Sequence, residues 1–272
     1  MNNHIFAAQT NQGTMRVFEL AGAAGFKLAE METLFNQLFP QYSHFVGRLR
    51  AIAAGDETEC LFKRPHQWLV EIDDEPAGLI NFTYSQRHNV GLGHNLAILP
   101  RLRRFNFGSF SRLSEILVYL AQQQLASDAG HAGAPEPAGL LVEVESPAAT
   151  SDPVEQRRRQ HLFARYQEYG AVEIPVCYFE PPGLIRADRP QEDVGWERLD
   201  FHPMELAIFP QRPAAELLTD GGIRNLVTAF LCDHYGLPTD HWAVTEALAS
   251  IALPVVNPML KQADRGYAGV TL

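Results

Sequence analysis

The apolar residues near the start of the chain change from a short strand-like run to helical spacing. Residues 16–20 form a compact apolar run that predicts an edge strand. Between residues 29 and 39 the apolar positions recur every three or four residues, as on one face of a helix, and Pro40 predicts the end of that helix. A second short helix is predicted over residues 45–54, with Gly55 ending it.

Three stretches rich in β-forming residues follow. Residues 68–72 and 78–84 flank the turn-rich tetrad 73–76, so the pair predicts a β-hairpin. Residues 95–99 predict a third strand, and Pro100 closes it. The chain therefore changes from helices to a sheet within its first hundred residues.

A helix and a loop are predicted between the third strand and the next one. Leucine and isoleucine residues from 113 to 120 indicate a helix, which we expect to begin near Gly108 or Ser109. Residues 127–139 are small and rich in Gly, Pro and Ala, so they predict a surface loop. Residues 140–144 then predict a strand.

The following segment predicts a basic helix over residues 153–169, ended by Gly170, and strands over residues 172–179 and 204–209. The predicted order is one strand, two helices, three strands, a helix, a strand, a helix and two strands. A strand that reaches the next strand through a helix requires a crossover. The sequence therefore predicts an α/β protein with a mixed sheet.

The tail changes character after Pro213. Helical spacing covers residues 223–231 and 242–251, and a Gly-Leu-Pro break separates the two helices. We interpret residues 213–272 as a helical extension, residues 14–212 as the main domain and residues 1–13 as a flexible start. The aromatic residues of the tail could line a substrate pocket or a dimer face, which leaves a homodimer open.

Composition narrows the class of protein. The chain has 272 residues, 46% of them hydrophobic, which predicts a folded globular protein. Its three cysteines are scattered, and this favours a reducing compartment and disfavours a structural zinc site. The polar start lacks the pattern of a signal peptide, and no apolar run is long enough for a membrane span. We therefore expect a cytoplasmic protein with no membrane or metal partner.

The net charge of −10 disfavours non-specific nucleic-acid binding and favours a cationic partner. The turn over residues 98–109 is the strongest exception to this acidic character, since it carries Arg103 and Arg104 between a strand and a helix. Backbone N–H groups and a helix N-terminus can bind phosphate at such a turn, and Gly108 and Ser109 allow close approach. The alternative is a surface turn with solvated arginines.

The same turn resembles the acetyl-CoA-binding motif of the GNAT N-acetyltransferases, apolar-x-Pro-x-x-Arg/Gln-x-x-Gly-x-Gly/Ala. Pro100 matches the proline, Arg103 the Arg/Gln position and Gly108 the second glycine, whereas Asn106 replaces the first glycine. Asn tolerates a positive φ better than most residues. The resemblance implies acetyl-CoA as co-substrate and a set of residues that bind it. That set is Ile98, Leu99, Arg103, Arg104, Phe105, Asn106, Phe107, Gly108 and Ser109.

A second segment, residues 163–170, is similar to the family's Phe-Tyr-x-x-x-Gly-Phe signature. Tyr166 then falls on the tyrosine that often protonates the departing CoA thiolate. Arg159 stands where family members often carry Asn. The alternative for Tyr166 is a core aromatic on an amphipathic helix. The predicted element order agrees with the GNAT fold from about residue 16 to residue 209, and it leaves the tail uncovered.

An amine must lose a proton before it can attack a thioester, so such an enzyme benefits from a base. His94, four residues before Ile98, is one candidate, because His accepts a proton near neutral pH. Glu143 and Glu145 alternate with apolar residues, so both face one side of their strand and could hold water or a cationic substrate. The alternatives are a surface histidine and a solvated strand face.

These patterns lead to one hypothesis and one alternative. The hypothesis is an N-acetyltransferase that acts by direct attack of a small-molecule or peptide amine on acetyl-CoA. In it, His94 or a Glu-held water is the base and Tyr166 is the acid. The alternative is a GNAT-like module that binds acyl-CoA without turnover, as a sensor or interaction partner. Acyl chain length and acceptor identity stay open.

Overall fold

A computed structural model of the chain describes residues 4–55, 62–104, 107–183 and 196–251. Its centre is one mixed sheet of eight strands in the order β1-β2-β3-β4-β5-β6-β8-β7. The strands are β1 (His4–Thr10), β2 (Gly13–Glu19), β3 (Lys63–Ile72), β4 (Glu75–Ser85), β5 (Val90–Ile98), β6 (Gly139–Glu145), β7 (Val172–Glu180) and β8 (His202–Pro210). Strands β5 and β6 pair in parallel, and every other neighbouring pair is antiparallel.

Helices cover both faces of this sheet. They are α1 (Leu28–Leu38), α2 (Val46–Ala54), α3 (Leu113–His131), α4 (Pro153–Glu168), α5 (Ala214–Leu217), α6 (Asp220–Thr228) and α7 (Trp242–Ser250). A 3₁₀ segment (Pro40–Phe45) joins α1 to α2, and a π-helical segment (Ala229–His234) follows α6. No helix in the described ranges is long and apolar enough to cross a membrane.

Alternation along the strands divides the core between the two faces. Leu69 and Leu79 pack with α1 and α2, whereas Trp68, Val70 and Ile80 pack with α3. All five side chains are almost completely shielded from solvent. The central strands are therefore apolar on both faces, as expected for strands buried between helices.

The tail shares its core with the sheet. Val227, Phe230 and Leu231 are fully buried in one cluster with strand residues that include Leu92. Leu92 is paired with Thr83, which lies on the same face of β4 as Leu79. The tail therefore covers the same sheet face as α1 and α2, beside them. Residues 252–272 of the predicted extension lie outside the described part.

The predicted element order from residue 16 to residue 209 is confirmed, with three corrections. Residues 4–10 form β1, paired with β2, so the prediction of a flexible start was wrong for them. Helix α3 begins at Leu113 and not near residue 108, because Phe107 and Phe110 close a tight turn with Gly108 at a φ of 55°. The helix also runs through the first part of the predicted loop, to residue 131.

The longer α3 depends on a buried polar cluster that sequence spacing does not reveal. Asp128 on α3 accepts hydrogen bonds from His66 Nε2 at 2.8 Å and from Arg64 at 2.8 Å. His66 Nδ1 lies 2.6 Å from Glu19 Oε2, which also accepts from the indole of Trp68 at 2.9 Å. The cluster ties α3 to β2 and β3, so tertiary contacts override the weak helix propensity of this segment.

We expect this cluster to make stability depend on pH. Burial by itself favours neutral His66, but the hydrogen bonds to Asp128 and Glu19 prevail and raise its pKa from 6.5 to about 9. Because the pKa of His66 is higher in the folded state, its protonated form stabilises the fold fully below about pH 6.5. This stabilisation is lost as the pH rises through 9. Over this window, unfolding in urea should show a loss of up to about 3 kcal/mol.

The matched variant is His66→Gln, which keeps a polar side chain but cannot titrate. It should remove most of the slope of unfolding free energy against pH between 6.5 and 9. An equal slope in the variant and the wild type would assign the pH dependence to other groups.

Candidate functional site

A cavity of about 660 Å³ opens where β5 and β6 separate. The two strands pair over residues 91–93 of β5 and 140–142 of β6. Beyond that point the side chains of both strands line the cavity, which reaches from α1 and the tail on one face to α3 and α4 on the other. The separation of the strands therefore positions the site.

His94 occupies the middle of β5, not its start. The register between β4 and β5 shifts at this point, so His94 is the extra residue of a β-bulge that turns its side chain into the cavity. Its Nε2 lies 2.9 Å from the hydroxyl of Thr83, and its ring stacks on His234 of the tail with centroids 4.2 Å apart. His94 thus lines the cavity, and the alternative of a surface histidine at the end of the strand was wrong.

The histidine pair is uncharged at neutral pH. Burial, followed by the positive charges of Arg48 and Lys63, lowers the pKa of His94 well below 6.5. Burial also lowers the pKa of His234, and the neighbouring His94 lowers it further. A neutral imidazole has a free lone pair, but a lowered pKa makes it a weak proton acceptor.

Glu143 lies in an acidic cluster at the end of the cavity beside the tail. Tyr178 donates a hydrogen bond to its Oε1 at 2.5 Å, and the hydroxyl of Tyr235 lies 2.7 Å from its Oε2. The same hydroxyl lies 3.2 Å from Oε1 of Glu180. Burial, followed by the charge of Glu180, raises the pKa of Glu143 well above 4.5, and burial raises the pKa of Glu180 to about 7.

Glu145 also lines the cavity, but its carboxylate is engaged by arginines of α4. It lies 2.9 Å from Nη2 of Arg158 and 3.5 Å from Nε of Arg159. Glu143 and Glu145 thus share a side of β6, as predicted, yet they have different surroundings. The position where the family often carries Asn is occupied here by the ion-paired Arg159, which also donates to the carbonyl of Ser146 at 3.0 Å.

Tyr166 of α4 lines the cavity on the opposite sheet face. Its ring packs edge-on against Phe209, with centroids 5.4 Å apart. Burial is the largest of the effects that raise its pKa to about 12. The phenol therefore keeps its proton at neutral pH and is available as a donor.

The predicted anion-binding turn is only partly assembled at the cavity. Arg103 and Ile98 line it, whereas Leu99 is buried in the core under α1. The N–H of Leu99 donates to the carbonyl of Ala77, so the alternation of an antiparallel pair directs the backbone of Ile98 toward the gap. Arg104, Gly108 and Ser109 are exposed on the turn, and Phe107 packs against the core. Phe105 and Asn106 lie outside the described residues.

Sequence patterns missed several residues that line the cavity. Arg112 and Ser114 flank the start of α3, and His161 and Arg165 project from α4 toward the same end. Glu180 and two tail residues complete the other end. A shift of the α3 start to Leu113 would have found the first pair. The aromatic character of the tail had already marked Tyr235 as a possible pocket residue, whereas no local signal marks His234, because the fold alone brings it to the cavity. Among the described residues, no group of three or more His, Cys, Asp or Glu side chains has an arrangement that could hold a metal ion.

The mixed sheet, split between two parallel strands and covered by helices on both faces, defines an α/β protein with its cavity at the split. No protein-family model matches the chain, and no curated protein sequence matches it. Several solved structures that are similar to this chain are described as acetyltransferases. One, described as a GNAT-family acetyltransferase from Bacteroides thetaiotaomicron, is 19% identical over 82% of this chain and 99% of its own, with a TM-score of 0.43.

Two further structures are similar. An aminoglycoside 6′-N-acetyltransferase complexed with coenzyme A is 13% identical over 72% of this chain and 98% of its own, with a TM-score of 0.45. The ribosomal-protein-S18-alanine N-acetyltransferase from Escherichia coli is 10% identical over 73% of this chain and 96% of its own, with a TM-score of 0.39. Because these likenesses are distant, we base the proposal below on this chain's own residues.

Proposed function

We propose that the chain is an acyl-CoA-dependent N-acetyltransferase that moves an acetyl group from acetyl-CoA to a primary amine. The observation that carries this proposal is the uneven charge of one continuous cavity. Several arginine side chains line the α3 and α4 end, whereas Glu143 and Glu180 lie at the tail end, where Arg48 of α2 acts on the two histidines. An anionic donor and a cationic acceptor would therefore enter from opposite ends and meet at the split between β5 and β6.

The residues of the arginine end fit the donor. They offer Arg103, Arg112 and Arg165, together with Ser114 and His161, for the phosphates of CoA. The backbone of Ile98 faces the gap and can pair with the amide groups of the donor. Acetyl-CoA supplies an activated acetyl thioester, and this chain supplies its orientation, a proton acceptor and a proton donor.

The proton acceptor must leave the amine with a free lone pair. His94 and the carboxyl groups of Glu143 and Glu145 all line the cavity, so either a histidine or a Glu-held water can act. The arginines of α4 already engage the carboxylate of Glu145, which leaves Glu143 as the stronger carboxyl candidate. A cationic acceptor is favoured at this acidic end.

Tyr166→Phe should lower kcat roughly 10- to 100-fold with little change in KM for acetyl-CoA. The phenol faces the cavity with its proton in place, and the variant keeps the ring that packs on Phe209. Steady-state measurement of thiol release gives both constants. An unaltered kcat would return Tyr166 to the role of a core aromatic.

Calorimetric titration with acetyl-CoA, followed by an amine screen for free-thiol release, tests the proposed function. We expect binding in the micromolar range and amine-dependent thiol release. Arg103→Ala serves as the control for the site, because loss of its charge should weaken binding of acetyl-CoA. Binding without turnover for every amine would favour the non-catalytic sensor, and no binding at millimolar acetyl-CoA would refute the donor assignment.

A further inference from the structure

One tyrosine hydroxyl of the tail joins two carboxyl groups that belong to different strands. Tyr235 lies 2.7 Å from Oε2 of Glu143 on β6 and 3.2 Å from Oε1 of Glu180 at the end of β7. A hydroxyl has one proton to donate, so separate hydrogen bonds to both carboxyls require that one carboxyl is protonated and donates in return, the alternative being one bifurcated donation. Two carboxyls buried within reach of one hydroxyl favour the first arrangement, in which the pair holds one proton.

The shared proton belongs to the pair and not to either residue. Charged Glu143 can accept from both Tyr178 and Tyr235 while protonated Glu180 donates to Tyr235. The reverse arrangement satisfies the same distances. In both cases the pair carries one negative charge, which is the outcome expected of two carboxyls buried together.

An independent observation in the same cavity indicates a ligand near Glu143. Asn81 is 3% exposed and lines the cavity together with His94 and Glu143, yet its Oδ1 has no hydrogen-bond partner. Its Nδ2 makes one long contact, 3.4 Å to Oδ1 of the facing Asn95. A buried acceptor without a donor costs about 1–3 kcal/mol. A ligand with N–H donors, entering the cavity, would satisfy it.

The surroundings of the pair suit a cation. Aromatic rings of Tyr42 and Tyr235 line the same end of the cavity, and ring faces attract ammonium groups. Several other charged or titratable groups act on this end. They are Tyr178 on β7, Glu145 on β6, Arg159 on α4, His94 on β5, and His234 of the tail, while Arg48 and Lys63 act on the two histidines.

We propose that Glu143 and Glu180 form the binding site for the ammonium group of the acceptor, and that the ammonium displaces the proton which the pair shares. The inference rests on the proposed function and narrows its acceptor to a primary amine that arrives as a cation. Tyr235 then becomes a positioning residue, contributed by the tail. The Asn81 carbonyl oxygen accepts one N–H of the ligand.

The exchange balances and leads to the attacking amine. The pair, with one proton, releases that proton to solvent as R–NH3⁺ binds, which leaves two carboxylates facing one ammonium. One N–H bond of the ammonium then breaks, the proton moves to a carboxylate oxygen, and the electron pair stays on nitrogen. The pair thereby returns to the single-proton state that it had before the amine bound. The amine, now neutral, is ready to attack.

Titration calorimetry with 1,4-diaminobutane, in the absence of any acyl donor, tests this exchange. Runs at about pH 6 in two buffers with different ionisation enthalpies report the number of protons released per ligand bound. We expect about one proton released, because Glu180 titrates near 7. The uncharged 1,4-butanediol should bind far more weakly and release none. Binding of the diamine without proton release, or no binding at millimolar diamine, would overturn the proposal.

Two variants and a second readout complete the test. Glu180→Gln, which keeps the shape of the side chain, should bring proton release close to zero and weaken diamine binding about 10- to 100-fold. Glu173→Gln is the matched control, since Glu173 lies on the same strand but not at the cavity. Infrared difference spectra should lose the protonated-carboxyl band as diamine binds. Equal proton release from Glu180→Gln and the wild type would refute the pair.

The outcome is separable from that of the proposed function. The titration uses no acyl donor, so proton release can be observed in a protein that transfers no acetyl group. Conversely, Glu180→Gln could still release thiol and also still release about one proton per diamine bound. That result would support the acetyltransferase activity and reject the carboxyl pair.

Discussion

Glu143→Gln is expected to lower kcat/KM for the amine by about 100-fold or more, the largest effect on activity among the variants considered. Glu143 is the carboxyl that receives both tyrosine hydroxyls and lines the narrow gap shared with Tyr166. The amide in its place can still accept from Tyr178, so the cluster keeps its packing. It can neither take a proton from the amine nor offset the charge of an ammonium.

The measurement is thiol release with saturating acetyl-CoA and varied amine, over a range of pH. Glu205→Gln is the control, because Glu205 faces Val144 on the next strand and bonds to Ser146 away from the cavity. It should retain activity close to that of the wild type. If Glu143→Gln keeps full activity while acetyl-CoA still binds, the proton acceptor must be sought at His94.

Phe230→Ala is expected to lower the free energy of unfolding by about 3–5 kcal/mol. Phe230 is fully buried in the π-helical segment of the tail, and its ring contacts the rings of Tyr178, His94 and Tyr235. Removal of the ring leaves a void under the acidic cluster, since surrounding side chains in a packed interior relax only partly. The variant should therefore also lose affinity for the amine.

Urea unfolding monitored by circular dichroism gives the change, and Leu199→Ala provides the comparison. Leu199 is 90% exposed, so its truncation should change stability by no more than about 0.5 kcal/mol. A small effect of Phe230→Ala on the free energy of unfolding, similar to that of Leu199→Ala, would show that the tail does not share a core with the sheet. The shared core of the tail and β5 to β8 predicts the opposite result.

The pattern of apolar residues alone was sufficient to predict the element order of the main domain. Alternation predicted the hairpin of β3 and β4, and helical spacing predicted α1 and α4, because these signals are local and repeat within each element. The predicted start of α3 was wrong because a tight turn at Gly108 precedes the helix. The geometry of this turn depends on the packing of Phe107 and Phe110, and that packing has no periodic signature.

The site divides in the same way. Residue type marked His94 and Glu143 as candidate proton acceptors, and the resemblance to the GNAT N-acetyltransferases implied Tyr166 as the proton donor. Local sequence could not show that Glu180 and Tyr235 lie beside Glu143, because 37 and 92 residues separate them from it along the chain, and the strand order and the packing of the tail bring them together. Burial raises the pKa values of Glu143, Glu180 and Tyr235, and burial is a property of the assembled fold.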